Sequence, residues 1–127
     1  MQHNEVTGVI IDTALDIHRR LGPGLLESVY RKILAYELRK KGFQVQEEQP
    51  IPVVWDTMRL ELGFRADLIV NDLVVVETKS VETIAPVHKK QLLTYLRFTN
   101  KRVGLLINFN VALLKDGISR VVNGLTE

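Results

Sequence analysis

Asp67, Glu77 and Lys79 sit where charge is expensive. They border two apolar runs, Leu68–Val70 and Leu73–Val76, separated by Asn71-Asp72, a pair suited to a tight turn. The pattern predicts a β-hairpin whose second strand is buried on both faces, because Leu73–Val76 is continuous rather than alternating. Charges beside such runs are costly unless they pair, bind a metal or sit where the strand leaves the core. Glu77 and Lys79 are two residues apart and project from the same strand face. Asp67 and Glu77 are equidistant from the turn centre, so antiparallel pairing brings them together. Two carboxylates and an ammonium at one point describe a hard-cation site with a lysine beside it. The plain structural alternative is a Glu77–Lys79 salt bridge at a strand end, with Asp67 capping the turn.

Other candidates lie on helical stretches. Glu27 stands three residues before Tyr30 at the start of a helix, and spacing alone favours an acidic residue answering the helix N-terminus. Gln91 and Tyr95 are four apart and therefore stacked on one helix face, where a purely structural helix would more often carry leucines. His18, next to Ile17 near the end of the first helix, reads as a partly buried histidine favoured by the helix dipole. Lys89, Lys90, Arg97, Lys101 and Arg102 decorate the third helix and its end. A solvated face is their ordinary reading, and a phosphate-contacting face the sharper one.

The elements that must position these residues are legible in the periodicity. Val6, Val9, Ile10, Thr13, Ala14, Ile17 and Leu21 form one face of an amphipathic helix, stopped by Gly22-Pro23-Gly24. A second helix carries Leu26, Val29, Tyr30, Ile33, Leu34 and Leu38 as its stripe, with Arg31, Lys32, Arg39, Lys40 and Lys41 mostly off it, and Gly42 ends it. Residues 43–47 alternate as a half-buried strand does. Pro50 and Pro52 confine the next segment to an edge or an irregular entry. Val53–Trp55, Asp56-Thr57 and Met58–Leu62 predict a second hairpin, leading through Gly63 into the first. Pro86 opens a third helix running to about Thr99. Val103–Phe109 is a core strand, Lys115-Asp116-Gly117 a turn, and Ile118–Val122 a short last strand. The order predicts an α/β sandwich around a mixed sheet, with residues 1–127 as one domain.

Composition limits the rest. The chain has 127 residues, 46% of them hydrophobic, which is enough for a real core. No window approaches the roughly 18–20 apolar residues of a membrane span. No signal peptide is evident at the N-terminus. The absence of cysteine removes disulfides, thiolate metal sites and a cysteine nucleophile, and makes a cytoplasmic protein the default expectation. A net charge of +2 permits nucleic-acid binding without arguing for it.

Asp67 followed by Glu77-Thr78-Lys79 resembles the D…(D/E)xK signature of the restriction-endonuclease-like, PD-(D/E)xK nuclease superfamily. Gly24-Leu-Leu-Glu27-Ser-Val-Tyr30 matches the GxxExxY motif that names one small family within it. Gln91-Leu-Leu-Thr-Tyr95 resembles the QxxxY element of several branches, and Gly104–Phe109 and Leu113–Val122 look like the family's C-terminal half. Two positions depart from the pattern: Ala66 stands where proline is common, and Thr78 where a hydrophobic residue is frequent.

The resemblance implies a restriction-endonuclease-like fold and a nuclease that uses Mg²⁺ or Mn²⁺. Asp67 and Glu77 would hold the metal with the Thr78 carbonyl, and Glu27 would be a third carboxylate, direct or through water. Lys79 would position water and offset phosphate charge. Neighbouring carboxylates favour the charged form of an amine, so this electrostatic role is preferred to that of general base unless the metal is bound. Gln91 and Tyr95 would orient water or phosphate. The expected substrate is nucleic acid, DNA in preference to RNA, with no membrane partner. A homodimer, or a partner supplying specificity, would suit so small a domain. The rival reading is a binding module that keeps the fold and does not cut.

Overall fold

In the computed structural model, which describes residues 2–124 and only the backbone of Leu62, two helices come first: α1 (His3–Leu21) and α2 (Glu27–Lys40). Three strands come next, β1 (Val45–Trp55), β2 (Met58–Val70) and β3 (Val74–Lys79). Then come α3 (Pro86–Thr99), β4 (Val103–Asn108), a 3-10 turn (Leu114–Gly117) and β5 (Ile118–Val122). The five strands form one sheet in chain order. Only β3 and β4 are parallel, with α3 as the crossover between them. This is the predicted α/β sandwich, a mixed sheet covered by helices on both faces.

Strand alternation divides the core in two. Leu68, Val70, Val74, Val76, Val103, Leu105 and Ile107 pack with the buried stripes of α1 and α2. Ile69, Val75 and Leu106 face the other way, onto Leu92 and Leu96 of α3. Strand β3 is buried on both faces, as its unbroken apolar run predicts. Gly104 lets α3 settle closely on β4: a Cβ there would lie 2.9 Å from Leu92 Cδ1 and 3.1 Å from the Val75 carbonyl oxygen.

Three local expectations change. Leu26, expected on the α2 stripe, precedes the helix as its N-cap and is 73% exposed. Arg31, expected off that stripe, is buried because two carboxylates receive it. The two short segments on either side of Pro50-Ile51-Pro52 merge into one strand. β1 is an edge strand, where prolines are tolerated. Gly63 likewise interrupts nothing. It lies inside β2, against Val53, where the β1–β2 register shifts.

Candidate active site

The first hairpin places the acidic pair. Asn71 and Asp72 both take positive φ (52° and 54°), a conformation that Asn and Asp tolerate, and the Leu73 N–H closes the turn on the Val70 carbonyl at 3.0 Å. The β2–β3 ladder runs from Val70↔Val74 to Leu68↔Val76 and then stops. The next opposed residues are Asp67 and Glu77. Here the strands part, and side chains replace the ladder. Asp67 N–H donates to Glu77 Oε1 at 3.3 Å, and Asp67 Oδ2 accepts from Thr78 N–H at 2.9 Å and from the Thr78 hydroxyl at 3.2 Å.

A kink on the neighbouring strand helps aim Asp67. Between the pairs Glu47↔Leu68 and Gln49↔Ala66, Glu48 adopts φ 49°. Leu68 and Ala66 would share a face in a regular strand. Instead Leu68 packs under α1 and α2, and Ala66 under α3. The strand therefore rotates at Asp67, as bulged strands do beside functional sites.

Glu27 arrives from the other side of the sheet, in the first turn of α2. The loop before it is held by Tyr30, whose hydroxyl donates to the Gly22 carbonyl at 2.6 Å and accepts from Leu25 N–H at 3.1 Å. The Tyr30 ring is fully buried and stacked on Phe109, with centroids 4.4 Å apart. Gly24 supplies the φ of 105° that the loop needs. The Ser80 hydroxyl donates to the Leu25 carbonyl at 2.7 Å, tying this loop to the chain just past Lys79. Glu27 Oε1 then lies 3.5 Å from Thr78 Oγ1, across 51 residues of sequence. The single Thr78 proton serves either Glu27 or Asp67, not both.

The electrostatics reflect three neighbouring carboxyl groups, of which Glu77 is the most buried. Glu77 is 6% exposed, and burial, then the charge of Asp67, push its carboxyl up to about 9. Burial, and next Asp67, also raise Glu27, with Lys79 and Arg31 opposing. Tyr95 is raised by burial and then by Glu77 and Asp67, which places its phenol within reach of both fields. Its ring stacks on Phe64 at 4.1 Å, so α3 and β2 hold it jointly. Lys79 is half-buried and makes no ion pair within 4.0 Å among the described residues, while its charge acts on both Glu27 and Glu77. The salt-bridge alternative therefore fails, and the turn closes without Asp67. Gln91, four residues before Tyr95 on α3, has an exposed side chain that makes no hydrogen bond among the described residues.

Among the described residues, no three His, Cys, Asp or Glu side chains are gathered so that they could hold a metal ion by themselves. The donor set nevertheless fits Mg²⁺ or Mn²⁺. Mg²⁺ takes one or two carboxylates and completes its shell with water and phosphate, rather than an all-protein cage. Asp67 and Glu77 would supply those carboxylates. By strand alternation the Thr78 carbonyl lies on the same strand edge as its N–H, which Asp67 receives. Two surface depressions, of about 490 Å³ beside Lys89, Lys90 and Ser119 and about 380 Å³ beside His18, lie elsewhere.

Sequence reasoning passed over two supports of this fork. Arg31 reaches Glu27 at 3.8 Å and Glu48 at 3.1 Å, joining the start of α2 to the β1 kink, and its Nε is buried without a partner. Its position four residues after Glu27 was the available signal. Asn108 stands opposite Lys79 at the end of β4. Its amide donates to the Val81 carbonyl at 2.9 Å and accepts from Val81 N–H at 3.0 Å, extending the pairing past the strand end. A polar residue closing the buried run Val103–Ile107 was the only sign of it. His18 is buried, with Nε2 2.8 Å from the Val111 carbonyl oxygen, as its ordinary reading requires.

The class this structure defines is an α/β domain whose mixed sheet forks at an Asp–Glu pair, with a lysine two residues on and a third carboxylate brought by a helix. A sequence model of the PD-(D/E)XK nuclease superfamily matches residues 4–121, and the chain belongs to that superfamily. Comparison with curated proteins and with solved structures gives no match.

Proposed function

We propose that this protein is a divalent-cation-dependent nuclease hydrolysing phosphodiester bonds in nucleic acid, DNA in preference to RNA. The observation that carries the reading is the fork itself: Asp67 of β2 and Glu77 of β3 meet where the two strands part, Thr78 N–H donates to Asp67, and Lys79 stands beside them outside any ion pair among the described residues. Asp67 and Glu77 would hold Mg²⁺ or Mn²⁺, with Glu27 a further carboxylate reached through water. When bound, the cation supplies charge to offset the electron density that gathers on the phosphoryl oxygens. Lys79 holds a positive charge where the pentacovalent phosphorus would develop its negative one. The Tyr95 phenol, kept protonated, is a donor for the attacking water or a phosphate oxygen. Water oxygen bonds to phosphorus as the bond to the leaving nucleoside oxygen breaks.

Within the superfamily we place the chain in the GxxExxY branch. Gly24, Glu27 and Tyr30 support that placement, since the first shapes the loop, the second faces the fork and the third locks both. The lack of cysteine supports a reducing, cytoplasmic setting, and a single domain over residues 1–127 suits the continuous sheet. No helix among the described residues is long and apolar enough to cross a membrane.

One observation favours the rival reading of a silent binding module, namely that no three-ligand cage is preassembled among the described residues. A cleavage assay on single-stranded, double-stranded and branched DNA and on RNA, with Mg²⁺ or Mn²⁺, separates the two. The nuclease reading expects cation-dependent cleavage that Lys79→Ala lowers by about 10²–10³-fold with affinity nearly unchanged. No cleavage of any form, or cleavage by Lys79→Ala at the parent rate, gives the binding module the better claim.

A further inference from the structure

The β1–β2 hairpin outruns the sheet. β3 pairs with β2 only at Leu68–Val70, so Met58–Glu61 has β1 on one side and no strand on the other among the described residues. The two outer edges of this ribbon differ. Pro50 and Pro52 blunt the β1 edge, whereas Met58–Ala66 contains no proline. The two-residue turn makes Trp55 and Met58 a hydrogen-bonded pair, so Arg59 and Glu61 direct their backbone groups away from β1, to the open edge. Trp55, Met58, Val53 and Leu60 occupy one face in register. Trp55 is 73% exposed, and Met58 and Leu60 are half exposed. An isolated two-stranded ribbon with an uncovered apolar face is marginal in water, and an open edge of this kind is a template for another strand.

We propose that this edge pairs with the β2 edge of a second copy of the chain, antiparallel about a two-fold axis at Leu60. The charge pattern selects that occupant. With Leu60 opposite its symmetry mate, each Arg59 stands opposite Glu61 of the other copy, so both cross-strand charge pairs have opposite sign. Arg59 and Glu61 already meet within one chain at 2.6 Å, in side chains that are mostly exposed and free to exchange. Leu60 meets Leu60, and Met58 lies on the same face. Nucleic acid is a poorer occupant, because residues 46–65 carry four acidic side chains against two arginines. Leu60 is seven residues from Asp67, roughly 23 Å along an extended strand, so pairing there leaves the carboxylate fork open.

Analytical ultracentrifugation of the intact chain over a concentration series tests this independently of any cleavage. The parent should sediment as a monomer–dimer equilibrium. Arg59→Glu alone opposes carboxylates, Glu61→Arg alone opposes guanidiniums, and each should be monomeric at concentrations where the parent is dimeric. Mixing the two variants in equal amounts restores opposite signs at both positions and should restore the dimer, an outcome that simple damage to the ribbon would not produce. A parent that is monomeric throughout, single variants that dimerise like the parent, or a mixture that stays monomeric each overturns the proposal. If the parent is monomeric and Leu60→Ser weakens DNA binding, the ribbon belongs to the nucleic-acid interface instead.

Discussion

Cation binding at the fork should release a proton, and Glu77→Gln should abolish the release. With its carboxyl near 9 in the cation-free protein, Glu77 is protonated at neutral pH. A cation can use it only after displacing that proton. At pH 7, two units below the value, about 1% of the group is ionised. Affinity should therefore be roughly a hundredfold weaker than for the fully ionised carboxylate, a penalty of about 2.7 kcal/mol. Between pH 5 and 8 the logarithm of the association constant should rise with a slope near one, falling to one half at pH 9. The same shift governs stability. Above the ordinary carboxyl value of 4.5 the unfolded chain has lost this proton while the folded chain keeps it until about 9, so the folded state binds more protons. Stability without the cation should then fall as pH rises through that window, the reverse of the usual paired carboxylate. Saturating Mn²⁺ should flatten the fall. Isothermal titration of Mn²⁺ in buffers of different ionisation enthalpy measures the proton count, and thermal melts from pH 5 to 8 measure the linkage. A proton count of zero, or an affinity independent of pH, would refute the reasoning.

Three further outcomes are expected from the same geometry. Tyr30→Phe keeps the ring stacked on Phe109 but leaves the Gly22 carbonyl and Leu25 N–H without the hydroxyl, so it should cost about 1–3 kcal/mol in a denaturant titration and lower cleavage through the loss of Glu27 placement. Gln91→Ala, which removes an exposed side chain with no hydrogen bond among the described residues, should leave stability within about 0.5 kcal/mol in a denaturant titration, so that any tenfold or greater loss of cleavage reports a role on water or phosphate. Lys89→Ala with Lys90→Ala should weaken DNA binding and reduce its salt slope by about one for each phosphate no longer neutralised, with the cleavage rate of bound substrate retained.

The amino-acid order determined by itself what depends on near neighbours. Asn71-Asp72 between two apolar runs specifies a turn with two positive φ angles, and once that turn is set the period of two leaves Asp67 opposite Glu77. The unbroken run before Glu77 specifies a strand buried on both sides, hence a sheet with helices on both faces. What only the tertiary structure decided depends on residues distant in the chain. Spacing reads Glu27 as an ordinary N-terminal carboxylate. It becomes part of the fork because Tyr30 and Ser80 pin its loop to β3, and no local signal encodes a contact across 51 residues. Arg31 looks like a solvated cation until Glu27 and Glu48 surround it. Gln91 and Tyr95 share a helix spacing, yet their surroundings differ: Tyr95 stacks on Phe64 and feels the charges of Glu77 and Asp67, while Gln91 is exposed. The rotation of β2 at Asp67 is decided by the kink at Glu48 on the neighbouring strand. A strand's own pattern sets which side chains alternate, and its partner sets where that alternation breaks.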